Sequence, residues 1–116
     1  MKVKPKSKNT LLWLFEPLEE DSGYELRRLF YLDAAYLDGR LFLAVKDGKE
    51  PSNGLMVCTS RDRHAALTVQ YPQLASHKRL GKWLYISQTH PEFERVAQEI
   101  VLLAKRRDPR LGIGQE

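Results

Sequence analysis

The chain has 116 residues, a formal charge of +4 and one cysteine, Cys58. A chain of this length hides roughly two-thirds of the surface that its unfolded form exposes, so one domain can fold without a disulfide or a metal. No apolar run approaches the roughly 20 residues of a membrane span or precedes a cleavage-like site, which predicts a cytoplasmic protein with no membrane partner.

The positive charge sits at one end. Lys2, Lys4, Lys6 and Lys8 fall in an acid-free opening segment, "MKVKPKSK", and residues 9 to 116 carry 15 basic and 15 acidic side chains. Four like charges, Pro5 and no apolar periodicity have the composition of a disordered, solvated tail, which could also lie along phosphates. The expected organisation is therefore a basic tail over 1–8, one domain over 9–108 and a short C-terminal tail over 109–116, where "LGIGQE" reads as a frayed end.

Asn9 or Thr10 can cap a short helix through "LLWLFE", which Pro17 discourages from continuing. "EPLEEDSG" then forms an acidic loop closed by Ser22-Gly23. From Tyr24 to Leu37 the aromatic and aliphatic residues run almost without interruption, as in strands covered on at least one face. Asp38-Gly39 is a strong hairpin signal, because a type I′ turn needs positive φ at both central positions. "AAYL" and "RLFLAVK" should therefore pair antiparallel, with Leu41, Leu43 and Val45 inward, and with Phe42 an exception among the outward residues Arg40, Ala44 and Lys46. Asp47-Gly48 ends that strand, and "LMVCT" adds a third.

Thr59 and Asp62 form a weak capping box for a helix of about a dozen residues that Tyr71-Pro72 closes. "KWLYIS" is a fourth strand after the connection "LASHKRLG". Thr89-His90-Pro91-Glu92 reads as a second capping box, and Phe93, Val96, Ala97, Ile100, Leu103 and Ala104 then draw one apolar stripe that must face the sheet. Lys105, Arg106 and Arg107 complement the C-terminal end of that helix dipole before Asp108-Pro109. The fold class is α+β: an antiparallel sheet of about four to five strands against helices.

"AAYLDGRLFLAV", a strand, a helix ending in "QYP", then "SHKRLGKWLYI" and a closing amphipathic helix together resemble the MmcQ/YjbR family over residues 34 to about 104. "EPLEEDSGYELRRLF" followed by "YLDGRLF" is also similar to the related N-terminal domain of the TfoX competence regulators. The resemblance implies a double-wing α+β fold and a DNA-binding role by fold analogy, and it brings no established reaction.

Chemistry-bearing residues are few. Cys58 lies in an apolar strand, where a thiol behaves as a small hydrophobe. His64, His77 and His90 are spaced by thirteen residues, without metal-ligand spacing. No phosphate-cradling or dinucleotide motif occurs, so no catalytic residue, metal or cofactor is expected. The best constellation is "HKRLGKWLY". It sets Lys78, Arg79 and Lys82 beside Trp83 and Tyr85, with His77 at the position the family resemblance singles out, and cations beside aromatics suit nucleic acid. Alternation puts Trp83 and Tyr85 on one face and the core candidates Leu84 and Ile86 on the other, which predicts Trp83 and Tyr85 exposed or under a loop. Two further readings stand beside a nucleic-acid module. One is a homodimer or protein-interaction domain using Phe42, Trp83 and Tyr85; the other, with least support, is an enzyme.

Overall fold

A computed structural model describes residues 9–49 and 53–114; the basic tail expected at 1–8 lies outside the described residues. A 3₁₀ helix (Leu12–Leu18) opens the fold; neither Asn9 nor Thr10 caps it, since Leu11 stands at the N-cap position, and Asn9 Oδ1 instead accepts the Leu11 N–H at 3.0 Å in the turn before the helix. Pro17 does not end that helix but lies inside it, one residue before its close. Six strands follow: β1 (Tyr24–Leu29), β2 (Leu32–Leu37), β3 (Arg40–Lys46), β4 (Gly54–Val57), β5 (Ala75–Ser76) and β6 (Leu84–Ile86). Two α-helices, α1 (His64–Gln70) and α2 (Phe93–Lys105), complete an α+β domain. The strands form one antiparallel sheet in the order β1-β2-β3-β4-β6-β5.

The sheet has two more strands than the four with clear sequence signals. The run from Tyr24 to Leu37 folds back at Phe30-Tyr31, a turn without glycine in which Phe30 takes φ +58°. The second addition is β5, only two residues long. The Asp-Gly hairpin has the expected form, with Asp38 at φ +55° and Gly39 at φ +81°.

The alternation expected for β3 breaks at its start. Ala35 pairs with Leu43 and Tyr36 with Leu41, so Phe42 is an extra residue, a β-bulge. The bulge turns Phe42 into the helix-side core with Leu43 and Val45 and moves Leu41 to the opposite face. Both faces are therefore apolar, and Ala44, expected outward, is fully buried.

On one face, α2 lays down the expected stripe, joined by Val101, against Leu43, Val45, Leu55 and Ile86, and Leu14, Phe15 and Leu18 of the 3₁₀ helix close the layer. Each large aliphatic side chain buried in this way stabilises the fold by roughly 1.5–3 kcal/mol. Both helix starts differ from the capping boxes. The Thr59 hydroxyl donates to the Arg110 carbonyl at 2.7 Å, and α1 begins only after a 3₁₀ turn over Arg61–Arg63. At α2, His90 Nδ1 accepts the Glu92 N–H at 3.0 Å, the Glu92 carboxylate turns to Arg95 and Gln73, and the helix begins at Phe93.

Among the described residues no helix covers the second face. A smaller cluster of Leu32, Ala34, Tyr36, Leu41, Ala44, Met56, Cys58 and Trp83 lies there, flanked by Leu80 and Ile113. The C-terminal segment contributes to both layers and is not frayed over Leu111–Ile113. Leu111 is fully buried in the helix-side core. Ile113 exchanges two backbone hydrogen bonds with Leu41, at 2.9 and 3.1 Å, and Gly112 N–H donates to the Cys58 carbonyl at 2.8 Å. Backbone pairing rather than apolar periodicity holds this segment, which is why its sequence looks like a loose end.

The C-terminus of α2 closes in a Schellman arrangement: Arg107 N–H donates to the Ala104 carbonyl at 2.8 Å and Asp108 N–H to that of Leu103 at 3.0 Å. Arg107 occupies the left-handed position usually given to glycine, at φ +58°. Its guanidinium reaches Asp21 through two hydrogen bonds, at 2.8 and 2.9 Å, and Asp38 through a third at 2.9 Å. The Arg107 hydrogen bonds, then the Gly23 N–H, hold the Asp21 carboxyl far below the usual carboxylate range. A carboxyl whose pKa falls on folding contributes stability that is present above the unfolded value, near pH 4, and is lost as pH falls below it. Asp21→Asn should therefore flatten the decline of stability between about pH 4 and pH 2, which urea titrations at a series of pH values would measure.

Candidate nucleic-acid interface

The loop linking β5 to β6 places the sequence-predicted residues in different environments. His77 is buried, and its Nδ1 accepts the backbone N–H groups of Arg79 and Leu80, each at 3.0 Å. Its ring meets Tyr85 edge-on at 5.1 Å between centroids. These contacts make His77 the internal brace of the loop. Lys78, Arg79 and Lys82 are exposed on it.

Trp83 shares a face with Tyr85, as alternation requires, and of the two expected settings, exposed or under a loop, it takes the second: only 8% of it is accessible, because Leu80 of the loop and the second-face cluster enclose it. Tyr85 is half-buried, and its hydroxyl donates to Asn53 Oδ1. Phe42 is 2% exposed in the helix-side core. An interaction surface made of Phe42, Trp83 and Tyr85 is therefore corrected: none of the three presents its ring as an open platform.

Other aromatics do. Phe30 and Tyr31, at the tip of the β1–β2 hairpin, are 69% and 77% exposed. A bulky residue at positive φ costs roughly 1–2 kcal/mol, so neither packing nor backbone preference accounts for Phe30 here. The tip and the His77–Leu80 loop are the walls of a cleft of about 460 Å³ whose floor is Leu32 and Met56. Arg28, Lys46 and Arg79 stand around it. Arg28 has a loose ion pair with Asp33 at 3.7 Å, whereas among the described residues neither Lys46 nor Arg79 has a carboxylate within ion-pair distance. The cleft marks the place where loop cover over the helix-free face runs out, leaving an apolar floor between rings and cations.

Of the sequence-predicted residues, the cleft gathers His77 and Arg79 and leaves Lys78, Lys82, Trp83 and Tyr85 outside its lining. It adds Arg28, Phe30, Tyr31 and Lys46. Phe30-Tyr31 itself carries no turn signal in the sequence, since neither residue is Gly, Pro, Asn, Asp or Ser. A larger hollow of about 590 Å³ beside the start of α2 includes Glu92 and Glu94 against a single Arg95, the wrong balance for phosphate.

Cys58 is fully buried, and that burial pushes its thiol pKa well up. Among the described residues no three His, Cys, Asp or Glu side chains gather as metal ligands would, and no helix is long and apolar enough to cross a membrane. Compared with known proteins, the chain matches no family model, no curated protein and no solved structure.

Proposed function

We propose that this chain is a non-catalytic cytoplasmic module that binds single-stranded nucleic acid in the cleft between the Phe30-Tyr31 tip and the His77–Leu80 loop. The observation that carries the reading is the pair of exposed rings beside Arg28, Lys46 and Arg79, on the sheet face without helices. Bases have apolar faces that stack on rings, and phosphates are neutralised by nearby cations, so one strand uses both kinds of group at once. The resemblance of residues 34 to about 104 to the MmcQ/YjbR family, with its proposed DNA-binding role, points the same way. Lys78 and Lys82 extend the positive surface along the loop, and the lysine-rich segment 1–8 adds charge without sequence preference.

Fluorescence anisotropy with a labelled single-stranded oligonucleotide tests this. If about three phosphates are neutralised, affinity should fall roughly 20-fold between about 50 and 200 mM salt. Tyr31→Ala should weaken binding about tenfold through lost stacking, with unchanged stability, and Arg79→Glu should also reduce the salt slope. Absence of salt-dependent binding below the high micromolar range would end the proposal.

A further inference from the structure

The outer edge of β1 is the second surface of the molecule without an internal explanation. Its neighbour β2 takes one set of backbone groups, and antiparallel pairing fixes which. Asp38 N–H donates to the Gly23 carbonyl at 2.9 Å, and the β1–β2 register runs unbroken from Tyr24↔Leu37 to Leu29↔Leu32. Hydrogen-bonded pairs alternate along such a ladder, so Gly23, Glu25, Arg27 and Leu29 bond to β2 and Tyr24, Leu26 and Arg28 turn their backbone groups outward. Among the described residues no strand pairs with that edge, and of the outward N–H groups only that of Tyr24 is taken, by the Asp21 carbonyl at 3.0 Å. Leu26, midway along it, is 44% exposed.

We infer that this edge pairs antiparallel with the same edge of a second copy, centred on Leu26, to join two sheets into one across a twofold axis. Charge complementarity selects the occupant. Centring on Leu26 lets the two Leu26 residues exchange both backbone hydrogen bonds and lets Arg28 N–H donate to the Tyr24 carbonyl of the other copy. It also sets Glu25 opposite Arg27 of the second copy, twice by symmetry, at a non-hydrogen-bonded position where facing side chains are closest.

The neighbouring registers that keep the outward groups paired are disfavoured. Centring on residue 25 faces Glu25 with Glu25, and centring on residue 27 faces Arg27 with Arg27, so like charges meet at the axis. Charged residues on an edge strand ordinarily deter pairing with other chains. Here their order deters most partners and shifted registers while admitting one. Glu25 and Arg27 already lie 3.0 Å apart within one chain, and the Arg27 guanidinium sits 4.4 Å from the centre of the Tyr36 ring, so both side chains are held on the face where the second copy would meet them.

Sedimentation equilibrium on the full chain tests the inference. The unmodified chain should form a concentration-dependent dimer. Glu25→Arg and Arg27→Glu should each weaken self-association about tenfold, whereas an equimolar mixture of the two variants should associate as a heterodimer, because each then supplies the charge the other lacks. Leu26→Pro should abolish the dimer with the β1–β2 ladder intact, since the N–H it removes points outward. A chain that stays monomeric up to about 1 mM overturns the inference. So does a dimer that survives Leu26→Pro, or a mixture that associates no better than its separate variants.

Discussion

Gly54→Ala is expected to lower the stability of the fold by roughly 3–5 kcal/mol, a large share of what a domain of this size possesses. Gly54 opens β4 at φ +98°, and a Cβ there would lie 2.2 Å from the Ile86 carbonyl oxygen and 2.8 Å from the Gln88 backbone nitrogen. Those obstacles are main-chain atoms of the neighbouring strand and its exit. They cannot rotate aside, so β4 and β6 would have to separate. Gly39 supplies the contrast. It also has positive φ, at +81°, but no atom lies within 4 Å of its notional Cβ, so Gly39→Ala should cost only about 1 kcal/mol of conformational strain. Urea denaturation of both variants separates the terms, and equal losses would show that the approach of β4 to β6 is looser than described.

Trp83→Ala should cost about 3–5 kcal/mol in the same measurement, the usual range for emptying a large aromatic site. The Trp83 indole lies in the second-face cluster with Met56 and Cys58, where among the described residues no helix packs. Tyr31→Ala removes a ring that is mostly in water and should leave the denaturation midpoint within about 0.5 kcal/mol of the original. The pair therefore distinguishes an aromatic that holds the sheet together from one that faces outward. If Trp83→Ala were stable and bound oligonucleotide weakly, the assignment of Trp83 to the core would fail.

What could be read in advance divides along physical lines. The α2 stripe and the Asp38-Gly39 hairpin follow from local rules, a 3.6-residue period and a backbone preference, and both appear as expected. The Phe30-Tyr31 turn does not, because its left-handed residue is a phenylalanine, for which no local preference exists. Phe42 and Leu41 exchange faces at the β2–β3 bulge, and Leu41 there exchanges backbone hydrogen bonds with Ile113, more than seventy positions further on. A pairing so distant leaves no periodic trace in the sequence. For the binding surface, the sequence indicated the β5–β6 loop, and Arg79 and His77 do line the cleft. It left Trp83 either exposed or under a loop, and the covered position holds because the second face of the sheet is dry as well. The opposite wall of the cleft comes from a hairpin nearly fifty residues away in sequence and at the other side of the strand order β1-β2-β3-β4-β6-β5, so no local pattern announces that the two share one cleft.

The bonds from Arg107 to Asp21 and Asp38 impose an order on biosynthesis. A nascent chain could form the early hairpins while still being translated, since their partners are adjacent in sequence. It could not fasten the acidic loop, or seat Ile113 beside Leu41, until those late residues had left the ribosome. Until then the sheet would expose its unlatched start, which is when a chaperone or a protease would find it most accessible.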